Sequence, residues 1–556
     1  MTDLWKTHKV TNQFDELTDY NLFTTDTVMN EYITQHHLGE YISELTETGK
    51  TLGTQDSFEK GIRCNLYPPT LRAFDRRGNR IDQVDFHPDW HHFMSEAKKS
   101  GLISYPYENT KKGRWVFAAM NFILQSQVEP GALCPATMTQ ASIPLIQKED
   151  KLWKQLSDKL LSREYDERDL PISEKTSIWI GMGMTEKQGG SDVRSNTTIA
   201  KRINTLDTGF QEYLLTGHKW FFSAPMCDAH LVVARIEDND QLACFYVPRW
   251  KPNNEKNPIE IQRLKEKVGN NSNSSSEVEF KNAWGILIGE EGRGIPTIIE
   301  MATFTRLNCV LGATAIIRQA TTQAYNYALH RMVFGKKLIE QPLMRSVLTE
   351  LALENESATL TSLFLADCFE NSEVSETSKA FRRTITPAAK YWICKKSIEV
   401  SAEAMEVFGG NGYVNDGIMA RLFKEAPVNS IWEGSGNVMC LDVLRSIKKD
   451  PNDLKLVFKY LKELAKDNNS LIQCIDNLEQ WLRDNFDSNF EARARFFTEQ
   501  LILTVQACLM YKHSPKAVFE AFFTSRLNST KQGHFIGSNT FDPITTEAIL
   551  NRIIHS

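Results

Sequence analysis

The sequence predicts an α+β protein built in four consecutive parts. These are an N-terminal helical domain over residues 1–176, a central antiparallel β-barrel or sandwich over 177–290, a helical bundle over 291–446 and an extra C-terminal helical domain over 447–556. Three observations predict it. Apolar residues recur at three- and four-residue spacing in the first part and again from Ile295 onward, as in amphipathic helices. Between these regions, short runs rich in β-branched and aromatic residues are punctuated by Gly, Asn, Asp and Pro, as strands are. A chain of 556 residues, at roughly 150 per domain, has room for about three or four such units.

In the N-terminal part, LGEYISELTETGKTLG and WVFAAMNFILQSQ carry the helical spacing, and Thr51-Leu-Gly-Thr and Tyr67-Pro-Pro interrupt it. DFHPDWHHFM, Asp85 to Met94, looks metal-like but lacks partners at ligand spacing. It reads as a helix start, entered at His87-Pro88 with Trp90 and Phe93 facing inward. The strand-like runs are SIWIGMGM, YLLTGHKWFFS, HLVVARI, ACFYVPRW and SEVEFKNAWGILIG, with GNNSNSSSE, Gly269 to Glu277, as a polar loop. From GIPTIIEMATFTRLNCVLGATAIIRQATTQAYNYALHRMVFG onward the pattern is helical again, and MRSVLTELALENESATLTSLFLADCFE continues it. After the polar stretch NSEVSETSK a third helix is expected to open at Thr386-Pro387, as N-cap and N1, and to close at Gly409-Gly410. Long helices with short connections suggest an antiparallel bundle. The last part includes LKLVFKYLKELAK and RARFFTEQLILTVQACLMYK and is neutral, with twelve Lys/Arg against twelve Asp/Glu from Pro451 to Ser556. No internal repeat is present.

Composition is ordinary for a globular protein, with 41% hydrophobic and 24% charged residues. A net charge of −6 gives no global argument for nucleic acid or an anionic membrane. The ten cysteines form no C-x-x-C pair and no zinc-spaced Cys/His cluster, so no metal site is expected and they read as reduced, mostly buried thiols. The first residues, MTDLWKTHKVTNQFDE, lack the basic-then-apolar order of a secretory signal, and no apolar stretch of about 20 residues exists to span a membrane. A cytoplasmic location is expected, where the sequon Asn270-Asn271-Ser272 goes unused.

Three strings carry chemistry. MGMTEKQGGSDVRSNT, Met182 to Thr197, lies where a strand meets a loop; Thr185 and Ser191 offer hydroxyls, and Gly189-Gly190 lets backbone approach a flat or phosphorylated ligand. GHKWFFS, Gly217 to Ser223, ends a strand with aromatics and a hydroxyl, which suits one face of a fused-ring cofactor or plain core packing. IWEGSGN, Ile431 to Asn437, holds one carboxylate, Glu433, in a turn that feeds an apolar helix from Val438 to Ile447. Such a turn offers free amides and a positive dipole end to a phosphate, and a carboxylate there can do acid–base work; Glu-Gly-Ser turns are also common as plain structure.

The order of the parts and the strings MTEKQGGSDV, KWFFS and FGGNGY followed by IWEGSGN resemble the acyl-CoA dehydrogenase superfamily over residues about 1 to 450. The wording GHKWFFS, PVNSIWEGSGN and MCLDVLR, the FHPDWH segment and the extra C-terminal helices resemble its AidB branch, named for the adaptive response to DNA alkylation. The resemblance implies non-covalent FAD and α,β-dehydrogenation of a short or branched acyl-CoA, with Glu433 as the base that takes the α-proton. Met184 and Thr185 would lie along the isoalloxazine, Ser191 would reach the phosphates, Phe221 would stack on the ring and Ser223 would face N5. Met182, Gly190 and Phe222 belong to the same implied cofactor set. Ile431, Trp432, Gly434, Ser435, Gly436 and Asn437 would close over FAD, and Arg331 and Phe334 would touch FAD of a neighbouring subunit in a homotetramer, a dimer of dimers.

Three positions depart from the family pattern. Glu406 stands where many members have Gln, Gln341 is followed by Pro342, and the family's Asp-x-x-Arg segment near CoA is Thr303-Phe304-Thr305-Arg306, which keeps Arg306 for substrate and loses its acidic partner. The branch also implies binding of double-stranded DNA. Arg445 is the candidate residue, with an i,i+3 pair to Asp442 as its alternative, and Lys448, Lys449, Arg493, Arg495, Lys512 and Lys516 are further candidates. An acyl-CoA oxidase with no DNA role is the alternative function.

Overall fold

The computed structural model describes residues 7–203, 208–527 and 535–554. The N-terminal part contains helices α1 (Thr27–His36), α2 (Ile42–Leu52), α3 (Gln55–Leu66), α4 (Pro88–Lys99), α5 (Tyr105–Glu108), α6 (Arg114–Ser126), α7 (Leu133–Gln147) and α8 (Asp150–Leu161). Helix α4 starts where the sequence suggested. His87 caps it through the Asp89 amide, Pro88 occupies the first turn, and Trp90 and Phe93 are buried. The mainly helical reading of this part misses one element, an antiparallel hairpin of β1 (Thr70–Phe74) and β2 (Arg80–Asp85). Its turn is closed by Asp75, whose carboxylate accepts from the amides of Arg77 and Asn79, and by Gly78 at φ 82°. The strands are polar and half-exposed, so hydrophobic pattern did not reveal them.

Strands β3 (Ile180–Gly183), β4 (Ile199–Ile203), β5 (Glu212–Ser223), β6 (Ala229–Ile236), β7 (Leu242–Pro248), β8 (Ile259–Leu264) and β9 (Ser275–Ile288) form the central sheet. The pairings β4–β5, β5–β9, β9–β7, β7–β6 and β6–β4 return to their starting strand, so the sheet closes as a barrel. The antiparallel barrel or sandwich expected from sequence needs correction: β3 and β4 both run parallel to β6, each reached by a long connection rather than a tight turn. Tyr213, Leu215, Phe222, Val232, Phe245, Ile261 and Phe280 fill the interior.

Beyond the barrel lie α9 (Gly294–His330), a short hairpin of β10 (Met332–Val333) and β11 (Lys336–Lys337), α10 (Pro342–Asn371), α11 (Glu376–Val407), α12 (Gly410–Tyr413), α13 (Ile418–Ile431) and α14 (Gly436–Lys449). Helix α11 packs on α9, α10, α13 and α14 at the centre of the bundle. It begins well before Thr386-Pro387. Ser375 is its N-cap, accepting from the Ser378 amide, and Pro387 sits inside the helix. A proline in a helix interior costs roughly 3 kcal/mol, and burial of the flanking turns against three neighbours outweighs that local signal. The last part comprises α15 (Pro451–Leu464), α16 (Asn469–Asn485), α17 (Phe490–His513), α18 (Lys516–Arg526) and α19 (Pro543–Leu550), of which α17 packs against α10, α11 and α14. No helix among the described residues is long and apolar enough to cross a membrane.

Candidate active site

Helix α13 ends at Ile431, α14 begins at Gly436, and four residues between them carry the carboxylate. Glu433 adopts φ 58° and Gly434 φ 105°, so the backbone turns back on itself at the carboxylate. A left-handed conformation costs a non-glycine residue roughly 1–2 kcal/mol, and three side chains hold it there. Lys390 of α11 donates to the carbonyl oxygens of Trp432 (2.7 Å) and Gly434 (2.5 Å). Arg306 of α9 donates from Nε to the carbonyl of Glu433 itself (3.1 Å), and Thr305 donates its hydroxyl to Glu433 Oε2 (2.6 Å). Burial pushes the Glu433 carboxyl above the ordinary carboxylate range, while the Thr305 bond and then the charges of Arg306 and Lys390 pull it back.

Arg306 was expected to meet substrate without an acidic partner. The partner exists, supplied from a different helix. Arg306 Nη2 pairs with Asp442 Oδ2 of α14 at 2.7 Å, and its side chain is only 13% exposed. Arg306 therefore braces the base turn and is engaged on both sides. Asp442 also accepts from Arg445 Nη1 at 2.5 Å, the i,i+3 pair weighed as the alternative for that residue.

Further candidate residues from the sequence lie on the barrel. Met182 lies on β3, and Met184 and Thr185 follow it, half-buried. The loop after them is pinned by Glu186, which is fully buried and accepts from Lys219 Nζ (2.7 Å), the Thr197 amide (2.7 Å), the Thr198 amide (3.1 Å) and Gln188 Nε2 (2.8 Å). Sequence reasoning passed over Glu186 and Lys219, although both stand inside the quoted motifs. The Thr185 carbonyl accepts from the Trp220 amide at 2.8 Å and ties the loop to β5. A Cβ on Gly190 would come within 2.6 Å of the Thr185 hydroxyl, so glycine lets the loop close there, and Ser191 beside it is exposed.

Along β5 the side chains alternate. Phe221 is 52% exposed on the outside, with Lys265 Nζ 4.5 Å from its ring centre, and Ser223 is half-buried at the strand end. Phe222 points the other way. It is fully buried in the barrel, stacked on His230 at 3.9 Å, and its side chain does not belong to a cofactor set.

Helix α14 has no side-chain cap at Ser435, which leaves its first-turn amides free of one, and the Asn437 side chain accepts from Arg495 Nε of α17 at 2.8 Å. The indole N–H of Trp432 is buried with no hydrogen-bond partner among the described residues. An unmet donor beside the Glu433 carboxylate, an exposed aromatic face and an uncapped helix start fit a flat, phosphate-bearing group such as FAD. Ile431, Gly434, Ser435 and Gly436 lie on this turn as expected. Arg331 and Phe334 do not. They follow the far end of α9, roughly 40 Å along the helix from Thr305 at 1.5 Å per residue. Arg331 donates to the Asn12 carbonyl, and Phe334 is 95% exposed at the hairpin tip. Asn270 of the sequon is buried and donates to Glu425 at 3.2 Å.

Comparison with known proteins agrees in order and extent. Residues 12–167 match the family described as adaptive response protein AidB N-terminal domain, 181–283 the acyl-CoA dehydrogenase middle domain and 292–448 the acyl-CoA dehydrogenase C-terminal domain. AidB of Escherichia coli (strain K12) is 42% identical over 93% of this chain and 94% of that protein. Acyl-CoA dehydrogenase family member 11 of Caenorhabditis elegans is 30% identical over 76% of this chain and 69% of that protein. Among solved structures, Bd2924 in its apo-form superposes with a TM-score of 0.83 at 28% identity, covering 90% of this chain and 99% of that one. The C. elegans protein in complex with C11-CoA has the same fold, with a TM-score of 0.84 at 24% identity, covering 98% of this chain and 93% of that one.

Proposed function

The chain belongs to the acyl-CoA dehydrogenase family, in its AidB branch, and on that premise we propose that it is an FAD-dependent oxidoreductase removing hydrogen from the α and β carbons of an acyl-CoA thioester. The observation that carries this is the clamped, partly buried Glu433, a carboxylate made more basic by its surroundings and fixed on a turn between two helix ends. An α C–H is a weak acid, so its base gains from a dry setting that raises carboxylate basicity. Bound FAD supplies the hydride acceptor. Met182, Met184, Thr185, Gly190, Ser191, Phe221 and Ser223 would hold it from the barrel side, and residues 431–437 from the helical side. Trp432 and, once FAD covers it, Phe221 would supply apolar walls for the carboxylate, and Arg306 keeps the turn in place rather than reading CoA. Arg331 and Phe334 would serve the FAD of a neighbouring protomer in a dimer of dimers, because their distance along α9 removes them from Glu433 of their own chain.

The experiment is a spectrum of the purified protein titrated with a panel of acyl-CoA thioesters, branched short chains included. The flavin band is expected to bleach, and Glu433→Gln to keep FAD while losing the bleaching. Bleaching that survives in Glu433→Gln removes it from the base role, and peroxide release in air would indicate an oxidase instead.

A second reading, binding of duplex DNA in the alkylation response, is supported by the AidB match and by Lys448, Lys449, Lys455 and Lys459, exposed on the consecutive helices α14 and α15. Arg445, Arg493 and Lys516 are paired with Asp442, Asp487 and Glu520, which leaves the lysines as the better phosphate contacts. A gel shift that weakens with salt, and weakens further when the four lysines become Gln, is the expected result. No shift at low salt rejects this reading.

A further inference from the structure

Lys390 lies in the middle of α11, buried, and its donors go to backbone oxygens rather than to a carboxylate. The two carbonyls it holds flank Glu433. One ammonium can reach both only because the residue between them turns back on itself, as Glu433 does at φ 58°. A buried ammonium without a direct ionic partner is expensive, and an apolar side chain would fill the same space more cheaply. We propose that Lys390 is a positioning residue for the base, its grip on Trp432 and Gly434 keeping Glu433 in the left-handed conformation that presents the carboxylate to Thr305. This goes beyond the assignment of Glu433 as base and rests on it.

The groups facing the Glu433 carboxylate are Thr305 and Arg306 from α9, Lys390 from α11 and, more distantly, the Cys309 thiol of α9 and the Cys134 thiol of α7, with Asp442 of α14 behind Arg306. Arg306 already spends its charge on Asp442. Lys390 is the cation whose removal changes both the conformation of the turn and the field at the carboxylate.

The test is the pH profile of flavin reduction by acyl-CoA in the FAD-loaded enzyme. In Lys390→Met the acid limb is expected to move upward by about one pH unit, as loss of a nearby cation destabilises a carboxylate, and the plateau rate to fall about tenfold through lost orientation. Lys390→Arg, which keeps charge and donors, is expected to restore the limb. An unmoved limb overturns the proposal even if the plateau falls, since a merely structural lysine would do that. Should Lys390→Met fail to fold, Lys390→Gln keeps a donor without the charge and must show the same upward shift. Failure of the base assignment is distinguishable. If no acyl-CoA bleaches the wild type, the infrared carbonyl band of protonated Glu433, identified by its absence in Glu433→Gln, still titrates. It must then titrate at higher pH in Lys390→Met, and an unchanged midpoint overturns the proposal.

Discussion

At the scale of single residues, the proposed chemistry turns on one short hydrogen bond. Thr305 Oγ1 donates to Glu433 Oε2 at 2.6 Å and stabilises the ionised carboxyl against the burial that opposes it. A hydrogen bond to a charged group contributes about 1.5–3 kcal/mol, so removing it in Thr305→Val should raise the Glu433 pKa by about one unit. The base works when ionised. The acid limb of flavin reduction therefore moves to higher pH in the variant, the rate on the acid side of that limb falls by about tenfold, and the alkaline plateau is largely recovered. An acid limb at the wild-type position, measured by stopped-flow reduction across the pH range, would show that Thr305 does not act on the carboxylate. Glu433 was legible in the sequence because a Trp, a Gly-Ser-Gly turn and a helix surround it. Thr305, Lys390 and Asp442 were not, because each stands on a regular helix with no local mark and acquires its meaning only when three helices meet.

At the scale of elements, the loop after β3 and helix α13 each depend on one buried acid. Glu186 has five donors around it and remains ionised although burial pushes it up, because Lys219 lies at 2.7 Å and the Thr197 and Thr198 amides point at it. Glu186→Gln leaves the Lys219 ammonium buried without its partner, a change that costs about 3–5 kcal/mol. Reduced flavin content in the purified variant and a lower melting temperature are the expected readouts, and full FAD loading at wild-type affinity would contradict the loop's dependence on it. The motif drew attention to Thr185, Gly190 and Ser191 because hydroxyls and glycines suggest ligands, while the residue that fixes the loop was read past as a spacer.

Helix α13 shows the opposite sign of shift. Burial raises Glu425 to about 7, against the pull of Arg421. A carboxyl whose folded pKa lies above its unfolded value favours folding at low pH, and that contribution is lost as pH rises from about 4.5 through 7. Wild-type stability should fall by of order 1–3 kcal/mol across that window relative to Glu425→Gln, as read from urea unfolding at a series of pH values. Parallel pH profiles for the two proteins would reject it. The turn that ends α13 was readable from IWEGSGN, though the helix itself was not picked out. The start of α11 was not, because Thr386-Pro387 carries a strong local cap signature that packing on α9, α10 and α13 overrides.

At the scale of the whole molecule, the helix–barrel–helix order was visible in the change of period along the chain, from helical spacing to short punctuated runs and back. The choice between barrel and sandwich was not, since the parallel contacts of β3 and β4 with β6 join segments far apart in sequence. Nor did the neutral composition of the last part disclose how firmly it is attached. Arg526 of α18 pairs with Glu350 and Glu354 of α10 at 3.0 Å each, and its side chain is 7% exposed. Arg552 joins Glu356 of α10 to Glu31 of α1. The amides of Gly537 and Asn539 also donate to Glu350. These bonds hold the C-terminal helices on the bundle, and α17 in turn reaches the Glu433 turn through Arg495 and Asn437. Arg526→Met removes the charge that Glu350 and Glu354 share and leaves two carboxylates facing each other in a buried setting, a loss of about 3–5 kcal/mol. If the C-terminal helices were an independent appendage, that loss would unfold them alone, and flavin binding would be untouched. Because α17 packs on α14 and grips Asn437, the expected result is a lower melting temperature together with weaker FAD retention on dilution. Unchanged FAD retention in a variant with a depressed melting temperature would separate the two, and would return the C-terminal helices to a role remote from the site.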